Sequence, residues 1–168
     1  MTHAERQNAT IRATSGALER LRILQENKTL AMVGLSADHM RPSHFAAIYM
    51  QAEGYRVIPV NPRYAGKEIL GETVYASLEE IPDPVDIVVA FRKPSELPGV
   101  AQSAIDIGAK VLWMQLSIEN AEAEKMAREA GLDVVSDRCV KIEHARFFGG
   151  LNLVGMNTGV ITSRRKFG

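Results

Sequence analysis

The chain has 168 residues with 20 basic and 20 acidic side chains, so its formal net charge is zero, and its 46% hydrophobic and 24% charged residues are typical of a single globular domain with its own core. The neutral balance argues against a general nucleic-acid binder, which should be strongly basic. No apolar run approaches the roughly 20 residues of a membrane helix, and the single cysteine, Cys139, predicts a reduced, cytoplasmic setting.

The first segment predicts a polar arm and then a helix over Ala17–Glu26, and its mixed charges argue against a secretory signal. From Thr29 onward, short apolar runs alternate with segments of helical spacing. The apolar runs predict five strands: Thr29–Leu35, Tyr55–Val60, Val85–Phe91, Lys110–Leu116 and Leu132–Ser136. The other segments predict helices or a helical turn: Pro42–Ala52, Ser77–Ile81, Pro94–Ile107, Glu119–Ala130 and Cys139–Phe147.

This alternation predicts an α/β fold with a doubly wound, Rossmann-like five-stranded parallel sheet and helices on both faces. We expect the strand order 3-2-1-4-5. Ligands of such sheets bind at the carboxyl ends of the strands, beside the point where the strand order reverses, which is expected between strands one and four. The domain should span residues 28–147, after an arm and helix over 1–27 and before a glycine-rich tail over 148–168 with basic residues near its end.

The turn after the first strand leads into the helix that begins at Pro42. A helix N-terminus offers free N–H groups to a phosphate, Ser36 and Ser43 add hydroxyl donors, and Arg41 adds a guanidinium group. Alternatively, the two hydroxyls only satisfy backbone groups of the turn. We favour the phosphate site because this fold class places its ligand here, with a glycine that leaves room for it. The candidate contacts are Gly34, Leu35, Ser36, Arg41, Pro42 and Ser43.

The second and third strands also end in polar or cationic residues. The second ends in Asn61, Pro62 and Arg63. A NAD site usually has an acidic residue at this position, which accepts hydrogen bonds from the ribose hydroxyls. An amide and a cation instead favour a nucleotide with an extra ribose phosphate, such as NADP or coenzyme A. The third ends in Phe91 and Arg92, which can stack a base and pair a phosphate.

The ends of the fourth and fifth strands predict the far wall of the cleft. Trp113 and Met114 can wall it and Gln115 can bind an amide, although core packing is the alternative for the tryptophan. Cys139 at a helix start suits a reactive thiol, but we favour the alternative of a buried, inert cysteine, which is common for this residue type. A catalytic pair of Cys139 with His144 is not expected at a spacing of five residues, and no metal-ligand spacing is present.

The ordered motifs of residues 28–146 resemble the coenzyme A-binding domain family, which is related to the nucleotide-binding domain of the succinyl-CoA synthetase α subunit. The motifs are GLS at Gly34–Ser36, RPS at Arg41–Ser43, GYRVIPVNP at Gly54–Pro62, ILGE at Ile69–Glu72, SLEEIP at Ser77–Pro82, VDIVVAFR at Val85–Arg92, GAKVLWMQ at Gly108–Gln115 and GLDVVSDRCVKIEH at Gly131–His144.

The resemblance implies a Rossmann-like fold that binds coenzyme A or an acyl-CoA along the carboxyl edge. Ser36 and its neighbours would hold phosphate, Asn61–Arg63 would line the nucleotide end, and Phe91, Arg92 and Trp113–Gln115 would flank the pantetheine path. Cys139 stands where the synthetase relatives also carry a cysteine near the thiol end. The chain departs from the synthetases in its poorer glycine loop and in lacking their second domain with its phosphorylated histidine.

The expected function is therefore binding of coenzyme A or an acyl-CoA at the carboxyl edge of the sheet, without catalysis. The alternatives are an NADP-dependent reductase, or a regulatory module that docks on a partner enzyme through its basic tail. We expect no nucleic-acid or membrane partner, and leave a protein partner or a homo-oligomer open.

Overall fold

The computed structural model describes residues 16–149. The polar arm predicted before residue 16 and most of the predicted tail, including Arg164, Arg165 and Lys166, lie outside these residues.

Helices and strands alternate along the described chain, close to the predicted ranges. The helices are α1 Ala17–Glu26, α2 Pro42–Ala52, α3 Leu97–Asp106, α4 Ala121–Glu129 and α5 Val140–Phe148. The strands are β1 Thr29–Val33, β2 Arg56–Val60, β3 Glu68–Ile69, β4 Glu72–Thr73, β5 Ile87–Ala90, β6 Val111–Met114 and β7 Asp133–Val135. Single 3₁₀ turns occupy Pro62–Tyr64, Leu78–Glu80 and Pro94–Glu96.

Five of the strands form one parallel sheet in the order β2-β1-β5-β6-β7, which confirms the Rossmann-like α/β fold. Its two faces are covered by different helices. Buried side chains of α1, α2 and α5 pack on one face, while those of α3 and α4 pack on the other. The sheet is thus enclosed on both sides, and its carboxyl edge is left for the connecting turns.

The predicted strand order is wrong: in chain order the five long strands run 2-1-3-4-5. The outer edge of β2 is occupied by Tyr75, whose N–H donates to Pro59 O at 3.0 Å and whose carbonyl accepts from Asn61 N at 2.9 Å. The third long strand, β5, therefore pairs with the free side of β1. Pro59 within β2 was the overlooked signal, because a proline cannot donate to a ladder and belongs on an edge strand.

This order moves the point of reversal to the gap between β1 and β5. The N–H of Gly34 donates to Val60 O at 2.8 Å, and the N–H of Phe91 donates to Val33 O at 2.8 Å. The turns that follow β2, β1 and β5 are consequently neighbours, and they bring the glycine turn next to Arg92.

Two local departures from the predicted elements have clear causes. The helix predicted from Pro94 begins instead as a 3₁₀ turn, because Pro98 has no N–H to bond to the Pro94 carbonyl. The side chain of Asn120 donates to that carbonyl at 2.9 Å. The small antiparallel hairpin β3–β4 was not predicted, since its strands have only two residues each.

Helix α1 is joined to the sheet domain by burial and by charge. Ile23 and Leu24 are fully buried in the core. The guanidinium of Arg20 donates to the carboxylate of Glu143 on α5 at 2.8 Å, and both side chains are buried. The first helix is thereby anchored to the last one on the same face of the sheet.

Candidate functional site

A cleft of about 450 Å³ opens at the carboxyl edge of the sheet, between the turns that follow β1, β2 and β5. We call it the first cleft. Most residues predicted for the ligand site line it: Gly34, Ser36, Arg41, Pro42, Ser43, Asn61, Arg63, Phe91 and Arg92. Tyr64 and Ile118 complete its lining, although neither was predicted.

The two serines build the turn after β1. The Ser43 hydroxyl accepts from Ser36 N at 3.1 Å, and the Ser36 hydroxyl accepts from Asp38 N at 3.1 Å. The ring of His44 adds a contact of 2.8 Å between Nδ1 and the Ser36 carbonyl. Both hydroxyls therefore have the backbone role of the alternative interpretation, but each keeps an O–H that can donate to a ligand oxygen.

The N-terminus of α2 meets the cleft without a side-chain cap. Arg41 is the N-cap residue, in an extended conformation, and Pro42 begins the helix. Pro42 has no N–H, and the His44 N–H donates to Arg41 O at 3.0 Å, so the Ser43 N–H is the donor of this first turn that has no partner in the helix, and it lies at the positive end of the helix dipole. This end of α2 can therefore hold an anion.

Three arginines surround the same space. The Nε atom of Arg92 lies 3.4 Å from the position that a Cβ on Gly34 would occupy, so this guanidinium lies against the glycine turn. Arg63 follows β2 in a 3₁₀ turn, and the exposed Arg41 is 3.8 Å from Asp38. The ion pairs within residues 16–149 leave Arg63 and Arg92 without a carboxylate partner.

Asn61 positions this cationic wall. Its Nδ2 donates to the Leu35 carbonyl at 3.1 Å, and its Oδ1 accepts from Arg63 N at 3.0 Å. The side chain thus ties the end of β2 to the turn after β1 and starts the turn that carries Arg63. Leu35, predicted as a ligand contact, is only 1% exposed and packs in the core.

The space beside Gly34 is filled by the backbone of Phe91 and the side chain of Arg92. Its φ is +90°, and a Cβ built there would overlap the carbonyl oxygen of Phe91. The glycine therefore lets β5 pass close to β1, which gives it a role in the fold beside the predicted one of leaving room for a ligand.

The end of β6 is buried instead of lining the cleft. Trp113 and Met114 are fully buried on opposite faces of the sheet, and the tryptophan Nε1 donates to Arg138 O at 2.8 Å. Gln115 is 3% exposed, and its Oε1 accepts from Val140 N at 3.1 Å. These residues precede the sheet edge and are covered by helices on both sides. Ile118, three residues farther on, is the first to reach the cleft.

Cys139 and His144 lie apart from the first cleft. Cys139 is the half-buried N-cap residue of α5. His144 is buried, its Nδ1 lies 2.9 Å from the Tyr49 hydroxyl, and burial lowers the pKa of its ring. The histidine ring therefore packs against Tyr49 and Tyr55, while Cys139 directly precedes Val140, whose N–H donates to Gln115 at the end of β6.

A second cleft of about 350 Å³ lies at the same edge, on the side of the sheet that α3 covers. Arg92 contributes to both clefts, and Pro62, also predicted, lines this one. The sequence interpretation missed the others because most of them lie in the segment after β4, before α3 or on α3, and not directly after one of the five predicted strands. The remaining lining residues are Val33, Val60, Ala76, Ser77, Leu78, Glu79, Glu96, Gly99, Val100 and Ser103.

Two other classes of site are missing from residues 16–149. Every helix in this range falls short of the length and apolar character needed to cross a bilayer. Within the same residues, no three His, Cys, Asp or Glu side chains are grouped so that they can hold a metal ion.

Comparison with known proteins identifies the family. Residues 28–145 match the family model of the CoA binding domain. A Bacillus subtilis (strain 168) protein, YneT, is 45% identical over 123 residues, which are 73% of this chain and 90% of that protein.

Solved structures agree with this match. A Thermus thermophilus protein, cell-free ID.343, is 41% identical, with a TM-score of 0.76 over 79% of this chain and 99% of that one. A Pyrococcus horikoshii OT3 protein is 40% identical, with a TM-score of 0.77 over 80% of this chain and 93% of that one. The chain therefore belongs to the family of CoA-binding domains.

Proposed function

We propose that this protein binds coenzyme A or an acyl-CoA, with the phosphates of the nucleotide in the first cleft. The observation that carries the proposal is the convergence of two arginines without carboxylate partners, Arg63 and Arg92, on the uncapped N-terminus of α2. Guanidinium groups and helix N-termini both bind phosphate groups in proteins. Their meeting in one cleft favours a ligand with several phosphate charges.

The end of β2 favours coenzyme A over NAD. Both polar atoms of Asn61 are engaged by the protein, and the next polar side chain is the cation of Arg63. A NAD site places a carboxylate at this point to bind the ribose hydroxyls. An arginine in its place suits a ribose that carries a phosphate, as in coenzyme A.

The pantetheine arm is proposed to run from the first cleft toward β6 and the start of α5. Ile118 lines the cleft, and Leu116, two residues earlier, is 55% exposed. The bond between Gln115 and Val140 N brings the end of β6 beside Cys139. This path offers apolar contacts to the arm and ends near the only thiol of the chain.

The proposal covers binding and assigns no reaction to the site. Cys139, the one nucleophilic thiol, has His144 on another face of its helix, where the ring contacts Tyr49. A reduced, cytoplasmic setting is part of the proposal, because it suits a thiol ligand beside a free cysteine.

Thermal unfolding of the full chain with CoA, acetyl-CoA, NADP and NAD tests this function. A ligand at 100 times its dissociation constant stabilises the native state by about 2.7 kcal/mol, so CoA should raise the melting temperature clearly. NAD should have no effect at the same concentration. A shift with NADP and none with CoA would refute the proposal and favour the reductase.

A further inference from the structure

One side of α2 presents apolar side chains to the outside of the fold. Phe45 is 49% exposed and Ile48 is 45% exposed, and Ala52 is exposed as well. Spacings of three and four residues place these side chains and Tyr49 on one side of the helix. None of the four is charged. We call the surface formed by Phe45, Ile48, Tyr49 and Ala52 the α2 face.

The α2 face continues to the end of α5 through neighbouring aromatic rings. The centroid of the Tyr49 ring lies 5.4 Å from that of His144, and the His144 centroid lies 4.8 Å from that of Phe148. Phe148 is 38% exposed and is the last residue of α5. Gly149 follows it in an extended conformation, with a φ of −75° and a ψ of 178°. The chain therefore leaves α5 beside the α2 face.

The sequence that follows α5 is apolar and uncharged. Residues 149–163 contain no charged side chain. Residues 151–161 carry six large apolar side chains, which gain free energy when they leave water. These are Leu151, Leu153, Val154, Met156, Val160 and Ile161. Because the α2 face is also apolar, one contact between the two would remove both surfaces from water.

Length and attachment favour a contact within one chain over a contact with a second copy. Helix α2 has 11 residues and is about 16 Å long. Residues 150–163 can span about 45 Å when they are extended, which is enough to pass along the whole helix. Because they are attached beside the α2 face, their effective concentration there is on the order of millimolar, which a second copy in dilute solution does not match.

We propose that residues 151–161 dock on the α2 face of their own chain and cover Phe45 and Ile48. In this arrangement the α2 face is closed to other partners. The contact needs no ligand, because the α2 face and the first cleft have no lining residue in common. Its failure would therefore leave the proposed binding of CoA unaffected.

Ile142 offers a matched control on α5. Its side chain is 45% exposed, like that of Ile48, so the two positions are equally accessible when residues 16–149 are considered alone. Ile142 precedes His144 by two residues, so it does not share the side of α5 on which the His144 ring contacts Tyr49. A cysteine at either position keeps a small apolar side chain there. Its reaction with a thiol reagent then reports whether the position is covered.

The test is the rate at which a maleimide labels Ile48→Cys and Ile142→Cys, each in the full chain with Cys139→Ser. Ile48→Cys should react at least about tenfold more slowly, because the docked segment shields it. Adding Leu153→Ser and Val154→Ser should bring its rate to within about threefold of the Ile142→Cys rate, because the segment loses two apolar contacts. The rate for Ile142→Cys should not change.

Equal labelling rates for the two cysteines in the full chain would overturn the proposal. Slow labelling of Ile48→Cys that persists after both serine substitutions would overturn it as well. Slow labelling that is lost on dilution of the protein would assign the α2 face to a second copy instead. Ala52→Cys, on the same face, should show the same protection and replaces Ile48→Cys if that variant does not fold.

Discussion

Replacing Gly34 by alanine tests whether the close passage of β5 over β1 holds the site together. The residue has a φ of +90°, which side chains rarely adopt, and the added Cβ would overlap the Phe91 carbonyl oxygen. Neither strand can easily retreat, because Gly34 N donates to Val60 O and Phe91 N donates to Val33 O, each at 2.8 Å. The alanine should therefore destabilise the fold even without ligand.

The expected cost has two separable parts. The left-handed backbone costs a non-glycine residue roughly 1–3 kcal/mol. The overlap with Phe91 costs roughly a further 1–3 kcal/mol, as other overpacked sites do. Gly54→Ala is the matched control, because Gly54 has a φ of +91° but a Cβ there meets no atom within 4 Å. It should show the first part only.

Urea denaturation followed by circular dichroism measures both variants on the same scale. Gly34→Ala should lose about 2–6 kcal/mol of unfolding free energy, and Gly54→Ala about 1–3 kcal/mol. CoA binding to Gly34→Ala should weaken as well, since the Arg92 guanidinium lies against this turn. Equal denaturation midpoints for the two variants would show that a Cβ at position 34 does not clash with the Phe91 carbonyl. The proposed reason for a glycine at this position would then be wrong.

Three further predictions concern affinity, pH and the thiol. The wild type should bind CoA about ten- to a hundredfold more tightly than dephospho-CoA. In calorimetry, Arg63→Gln should largely remove this preference, because the variant loses one charge-assisted contact with the 3′-phosphate. An unchanged affinity ratio in the variant would show that Arg63 does not bind the 3′-phosphate. Burial lowers the pKa of the His144 ring in the folded protein below its ordinary 6.5. As the pH falls, the ring therefore binds a proton more readily in the unfolded chain than in the folded one. The stability present above about pH 6.5 is lost as the pH falls toward the pKa of the ring in the folded protein. Urea melts from pH 7.5 to 5 should show this decline in the wild type and a shallower one in His144→Gln, and identical slopes would assign the effect to other groups. Mild oxidation by diamide in the presence of CoA should form a disulfide between Cys139 and the CoA sulfur, with each thiol losing one hydrogen to the oxidant. Intact-mass measurement should find this adduct in the wild type but not in Cys139→Ser. An adduct that persists in the variant would exclude Cys139 as the site of the disulfide.

Local sequence signals determined which elements form and much of the first cleft. The helix start at Pro42 follows from an imino acid that needs no N–H partner there, and the five buried strands follow from short apolar runs. Since parallel strands end at one edge of a sheet, reading the residues after each strand was enough to find Ser36, Arg63 and Arg92. These predictions required no knowledge of which strands are neighbours.

The tertiary structure alone decided the strand order and the depth of each strand end. Tyr75, which follows the β3–β4 hairpin, covers the edge of β2 through its backbone bonds to Pro59 and Asn61, and β5 pairs with the other side of β1. Trp113 stands near the end of a strand, like Arg92, yet helices bury it completely, whereas the arginine reaches both clefts. The second cleft joins the end of β2 to α3, and the strand-end rule could not find it. Exposure at a sheet edge depends on how far the neighbouring helices extend, and that depends on packing between segments distant in the sequence.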